Sequence, residues 1–223
     1  MNVIELLAEI SAEICVCPKC RLAETRTHAV PGDGEVSAQI MFVGEGPGEQ
    51  EDLSGHPFVG KSGQLLTREL EKIGISRGDV FITNIVKCRP PQNRVPLSDE
   101  IAACSDWLMA QIALIEPKFI VPVGGPSLQT LVSKNLRITR ARSNVFRKDG
   151  ILFIPILHPS AALRAPGTMQ LFLEDLANLK DFLSREIGED EITDIDEGSK
   201  ERVCSPSETA PKVEEEGGNL SLF

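Results

Sequence analysis

Ile40-Met41-Phe42-Val43-Gly44-Glu45-Gly46-Pro47-Gly48 is an apolar strand that runs straight into a glycine-rich turn. Ile40 to Val43 shows no polar alternation, so both of its faces need cover. Similar apolar runs recur at Val80 to Val86, Phe119 to Val123 and Leu152 to Leu157. Helical patterns separate them. Residues 2–14 are amphipathic, and Ser62 to Ile73 places Leu65, Leu66, Leu70 and Ile73 on one face. Ser98 reads as the N-cap of a helix reaching about Ile115, and Met169 to Leu183 as a closing helix. Strands spaced by helices predict an α/β fold, a three-layer α/β/α arrangement around a central, mostly parallel four-stranded sheet. Such sheets bind ligands at the carboxyl ends of their strands, so chemistry is expected in the loops after Val43, Val86, Val123 and Leu157.

The chain has 223 residues, 41% of them apolar, enough for one substantial core. Its formal charge of -10 is unevenly spread, because residues 188–223 carry 11 acids against 3 bases. That segment is also rich in Ser, Pro and Gly, and it reads as an acidic disordered tail behind a compact domain of residues 1–187. The compact part holds 22 acids and 20 bases, so overall acidity excludes no anionic partner, DNA included. No apolar run approaches the roughly 20 residues that span a bilayer, and the first residues are acidic where a secretory signal is basic. The expectation is a cytosolic protein without a membrane contact.

Six cysteines stand at 15, 17, 20, 88, 104 and 204. Cys17-Pro-Lys-Cys20 is a close pair, and Cys88 and Cys104 form a distant second one. In a cytosolic chain this pattern suggests thiolate metal ligation before disulfides, with buried structural cysteines as the plainer reading of Cys88 and Cys104. Zinc and an iron–sulfur cluster each take four thiolates, and spacing alone does not separate them. Cys15 and Cys204 are not expected as ligands.

Gly55-His-Pro-Phe-Val-Gly60-Lys61-Ser62 satisfies the phosphate-loop pattern letter for letter, which would make the chain a nucleotide hydrolase. That motif needs an apolar strand entering its first glycine, whereas Glu49 to Ser54 is acidic, and no later strand ends in a magnesium-binding Asp. The nucleotide reading is therefore the weaker alternative. The Gly44 to Gly48 turn instead offers a backbone that a ligand can approach closely. His158-Pro159-Ser160 ends the fourth strand, and Asn84 with Lys87 and Arg89 completes a third loop at the same edge.

Taken together, GEGPGEQED, HPFVGKSG, TNIVKCRPPQNRVP, Cys104 and HPSAALR resemble the family-4 uracil-DNA glycosylases, the iron–sulfur branch of their superfamily, over about residues 14 to 185. The resemblance implies an intracellular, nucleoid-associated repair enzyme that flips uracil out of DNA and hydrolyses its N-glycosidic bond. It also implies that Cys17, Cys20, Cys88 and Cys104 hold a 4Fe-4S cluster with a structural role. By the same resemblance Phe58 stacks on uracil, and the Asn84 amide reads N3–H and O4, a pattern that cytosine reverses. His158 and the Gly44 to Gly48 amides stabilise charge on uracil O2. Glu45 or Glu51 orients the water, since Gly46 stands where the best-known relatives place an Asp. Gly48 stands where other branches place an aromatic wall, which makes Glu51 the candidate for excluding thymine. Arg89, Arg94 and Arg164 are expected on phosphates and Leu163 as a wedge in the duplex. His28 and His56 read as surface or structural residues. Members that crosslink to their product carry a His after the Val-Lys and an inserted basic loop; Cys88 and the lack of that insertion imply turnover. At the far end, Leu220 and Phe223 follow an acidic spacer and resemble a degenerate sliding-clamp peptide, with Gly217 in place of the usual glutamine.

Overall fold

The computed structural model describes residues 2–195. Strands β1 (Asp33–Gly34), β2 (Ile40–Gly44), β3 (Phe81–Asn84), β4 (Phe119–Pro122), β5 (Val145–Lys148), β6 (Ile151–Phe153) and β7 (Ile192–Asp194) form one sheet in the order β1-β3-β2-β4-β6-β5-β7. The four expected strands are its parallel centre, β3-β2-β4-β6. Three short edge strands widen it to seven, of which β1 and β5 pair antiparallel with their inner neighbours.

The apolar runs are buried on both faces, and their alternation divides the core in two. Phe42, Ile82, Val121 and Ile154 face α3 (Lys61–Lys72) and α8 (Pro166–Ser184), meeting Leu66, Leu70, Phe172 and Leu176. Met41, Val43, Phe81 and Ile120 face the other way. There they meet Leu7 of α1 (Val3–Val16), Leu108 and Ile112 of α4 (Ser98–Ile115), and Leu128 of α5 (Gly125–Leu131). Each fully buried large side chain in these layers contributes about 1.5–3 kcal/mol of transfer free energy. Three further short helices lie in connections: α2 (Glu49–Ser54), α6 (Ile138–Ala141) and α7 (Pro159–Ala162).

Two boundaries differ from expectation. Helix α4 is capped from within by Glu100, whose carboxylate accepts the Leu97 N–H at 2.8 Å, so Leu97 rather than Ser98 is the N-cap. Residues 188–195, assigned above to the acidic tail, fold onto the sheet edge. Arg147 of β5 binds Asp194 at 2.7 Å and Glu189 at 2.9 Å, and the Ile195 N–H donates to its carbonyl. The acids there pair with a neighbouring strand, a partnership that local composition does not reveal. Residues 196–223, including Cys204, Leu220 and Phe223, lie outside the described residues.

Candidate active site

The carboxyl ends of the central strands open on one cleft of about 450 Å³, lined by Glu45, Phe58, Asn84, Gly124, His158 and Arg164 among others. Its size suits a small planar ligand. The turn after β2 forms the near wall, and its glycines are needed for space. A Cβ on Gly44 would lie 2.4 Å from Asn84 Oδ1 and 2.6 Å from Phe58 Cζ, so only glycine lets those two side chains converge. At Gly46 a Cβ would lie 2.9 Å from Val86 Cγ2, which leaves no place for a longer side chain without moving Val86.

Phe58 follows α2 in a left-handed conformation, φ 54°, that is costly for an aromatic residue. Its surroundings impose it. Arg77 donates to the Pro57 carbonyl at 2.5 Å and to the Phe58 carbonyl at 3.4 Å, and Gly63 of α3 admits that carbonyl where any side chain would collide. The ring centroid stands 6.2 Å from that of His158. Asn84 ends β3 with 2% exposure, and its amide has no hydrogen-bond partner among the described residues.

His158 is the N-cap of α7. Its Nδ1 accepts the Ser160 N–H at 3.1 Å and lies 2.8 Å from Ser160 Oγ. An acceptor Nδ1 fixes the neutral tautomer with the proton on Nε2, the nitrogen left for the cleft. Burial, then the Arg164 charge, pulls the imidazole down to about pKa 4, against a weaker opposing effect of Glu51. At neutral pH the ring is an uncharged donor.

The two acidic candidates have different surroundings. Glu45 is half-buried, its carboxyl raised by desolvation, and it makes no side-chain hydrogen bond among the described residues. Glu51 is 8% exposed and accepts three main-chain N–H groups, from Gly48 at 3.1 Å, Val59 at 3.0 Å and Gly60 at 2.8 Å. It therefore staples the Gly44 to Gly48 turn to the Phe58 loop. Its Oε2 also fills the space beside Gly48, where a Cβ would come within 2.8 Å.

The arginines divide similarly. Arg164 stands exposed at the cleft mouth with no ion-pair partner among the described residues, next to Leu163, which is 50% exposed. Arg89 bonds Asn93 at 2.8 Å and lies 3.9 Å from Glu49. Arg94 grips the buried Glu100 with both guanidinium nitrogens, at 2.6 and 2.8 Å, which ties the loop after Cys88 to α4. His28 bonds the Asp52 carbonyl through its ring at 3.0 Å, and His56 is exposed near Asp33.

Behind this loop, Cys17, Cys20, Cys88 and Cys104 line one small cavity, while Cys15 is exposed outside it. Three of the four sulfurs have N–H donors: Arg26 Nη1 at 3.1 Å from Cys88, Trp107 Nε1 at 3.4 Å from Cys17, and the Lys87 amide at 3.3 Å from Cys104. Burial raises the free Cys88 thiol and pushes Cys104 up to about 11. Such donors suit anionic sulfur, and a metal would offset the burial cost. Among the described residues no three donors converge on a point for a single ion. Sequence reading passed over Arg26, Arg77, Trp107 and Glu100, because isolated polar residues in loops and helices carry no periodic signal.

The profile of the uracil DNA glycosylase superfamily matches residues 31–180. The type-4 uracil-DNA glycosylase of Sulfurisphaera tokodaii is 45% identical over 184 residues, covering 78% of this chain and 84% of the relative. That of Thermotoga maritima is 44% identical over 82% of this chain and 97% of its own length. A type-5 enzyme from Pyrobaculum aerophilum is 32% identical over 67% of this chain and 73% of its own. With a cleft at the strand ends and a four-cysteine cavity behind it, the chain belongs to the uracil DNA glycosylase superfamily.

Proposed function

We propose that this chain removes uracil from DNA by hydrolysing the N-glycosidic bond, the opening step of base excision repair. The observation that carries the reading is a neutral His158, held as an Nε2–H donor, in one cleft with a stacking Phe58 and an unpartnered Asn84 amide. A flipped uracil stacks on Phe58 and gives its N3–H to Asn84 Oδ1 while O4 accepts from Nδ2. Cytosine presents the opposite pattern and pairs only if the amide turns over, so discrimination rests on the amide keeping its uracil-reading orientation. As the C1′–N1 bond breaks, its electron pair leaves with uracil, and the charge collecting on O2 meets His158 Nε2–H and the amides of the Gly44 to Gly48 turn. Water then bonds to C1′, and the proton it releases neutralises the uracil anion, so that the products are uracil and an abasic sugar. Glu45, half-buried and without a side-chain hydrogen bond among the described residues, orients that water, and Glu51 holds the two loops and crowds the C5 edge against thymine. Gly46 lets the ring approach the main chain. Arg164 and Arg89 meet phosphates and Leu163 fills the vacated stack. Arg94 contributes through the loop that it fixes.

The cysteine cavity is read as the seat of a 4Fe-4S cluster, which when bound would cross-link α1, the loop after β3 and α4. Leu220 and Phe223 are read as anchors for a sliding clamp on the strength of their spacing behind an acidic run. The decisive experiment is single-turnover release of uracil from single-stranded and U:G duplex oligonucleotides without added metal or nucleotide. His158→Ala should lower the rate by about 100-fold or more, by analogy with loss of one oxyanion donor. A variant as fast as the parent would overturn the site.

A further inference from the structure

Strand β6 ends at Phe153, yet the chain must stay in register until it delivers His158 to the cleft. On the β4 side it does so through main-chain bonds, Ile154 N–H to Ile120 O and Ile156 N–H to Pro122 O, both at 3.0 Å. On the other side the pairing with β5 runs out. Phe146 opposes Phe153, a last 3.4 Å bond joins Ser143 N–H to Pro155 O, and the next amide facing that way is Leu157. A side chain from α8 takes the place of the missing strand: Asp175 Oδ2 accepts the Leu157 N–H at 2.8 Å. Asp175 is 1% exposed. Its Oδ1 accepts from Ser143 Oγ–H at 2.9 Å and forms an ion pair with Arg142, whose Nε lies 2.7 Å away without hydrogen-bond geometry, and Ser143 is held in turn by Asn178 at 2.8 Å.

The structure assigns Asp175 as the positioning residue of His158, fixing the main chain one residue before the imidazole while Ser160 fixes the ring. The assignment rests on His158 acting on uracil as proposed above. A buried carboxylate is an expensive way to hold one amide if only packing is at stake, since an apolar side chain of equal volume serves packing as well. Its worth lies in direction. With the peptide before His158 pinned, the ring has only its own χ angles to adjust, and Ser160 sets those.

The test is a double-mutant cycle in the full-length holoprotein, read as single-turnover uracil release at saturating enzyme. Asp175→Asn keeps the shape but cannot accept from Leu157 and Ser143 together. Its rate should fall about 10- to 100-fold, the cost of misplacing a reacting group by roughly 1 Å. In a His158→Ala background the same change should cost less than twofold, because there is no imidazole left to misplace. Imidazole ¹⁵N shifts should report a disturbed His158 in Asp175→Asn alone. If Asp175→Asn does not fold, Ser143→Ala, which removes one hold on the carboxylate, should show a smaller loss with the same dependence on His158. Losses that multiply in the double variant, or a parental rate for Asp175→Asn, would overturn the assignment alone. A parental rate for His158→Ala would overturn the underlying reading as well.

Discussion

Gly63→Ala is the smallest change that should disable the site, and its size can be worked from the structure. A Cβ at Gly63 would lie 2.0 Å from the Phe58 carbonyl oxygen, 2.1 Å from its carbon and 2.5 Å from Cα. All three are main-chain atoms and cannot rotate away. Restoring even 3.0 Å to the oxygen requires a shift of about 1 Å, and that oxygen belongs to the residue proposed to stack on uracil. Displacement of this order costs about 100-fold in rate when it misplaces a substrate-holding group. Helix propensity runs the opposite way, since alanine within a helix is favoured over glycine by up to about 1 kcal/mol. Global stability should therefore change less than activity. Gly167→Ala in α8 is the control: nothing lies within 4 Å of its added methyl. Uracil release under single turnover should drop by about two orders of magnitude for Gly63→Ala and stay parental for Gly167→Ala, with melting temperatures recorded for both. A Gly63→Ala enzyme within twofold of the parent would refute the claim that the left-handed Phe58 is held by its surroundings.

Four further outcomes are expected. Because burial lowers the His158 pKa to about 4, its neutral form persists from alkaline pH down to that value; the pH–rate profile should be flat around neutrality and fall only on the acid side, where Glu45, raised by desolvation, also gains a proton. Cys17→Ala or Cys88→Ala should yield a colourless, poorly soluble protein with little bound iron, checked by visible absorbance and metal analysis. Arg94→Met leaves the buried Glu100 with only the more distant Arg21, 3.9 Å away, so the loss of stability should be larger than that of Arg89→Met in denaturant melts. Deleting residues 217–223 should leave cleavage of free oligonucleotides unchanged and abolish co-elution with a sliding clamp.

The parallel centre of the sheet was legible because burial on both faces writes an unbroken apolar run, and Met41, Phe42 and Val43 are each fully buried as such a run demands. The edge strands were not. Asp33–Gly34 is two residues long, and Ile192–Asp194 lies in an acidic stretch whose partner, Arg147, stands 47 residues earlier. Cross-strand charge pairing of that kind is invisible to a window along the chain. At the site, Phe58, Asn84 and His158 were legible through their motifs and do meet in one cleft. Sequence left Glu45 and Glu51 as alternatives for orienting the water, because both are acids beside one glycine-rich turn. Their difference is made by amides that face one and not the other, and amide directions are fixed only once α2 and the Phe58 loop have folded.

The cysteine cavity and Asn84, the residue proposed to read uracil, belong to a single short segment, so a cluster seated in that cavity would act on the cleft without any redox step. Asn84, Lys87 and Cys88 lie within five consecutive residues. Lys87, 1% exposed, donates from Nζ to the Asn84 carbonyl at 3.0 Å, to Gln111 at 2.7 Å and to Thr83, while its own amide donates to Cys104 Sγ. Burial draws that ammonium down to about pKa 7, and negative charge on the neighbouring Cys104 sulfur works against that shift. Anionic sulfur beside it therefore favours the charged lysine, and a charged lysine holds the Asn84 carbonyl more firmly than a neutral one. By the proposed roles, a cluster in the cavity would act on base recognition over a few ångströms of main chain. No long-range coupling through the sheet is needed to connect the two.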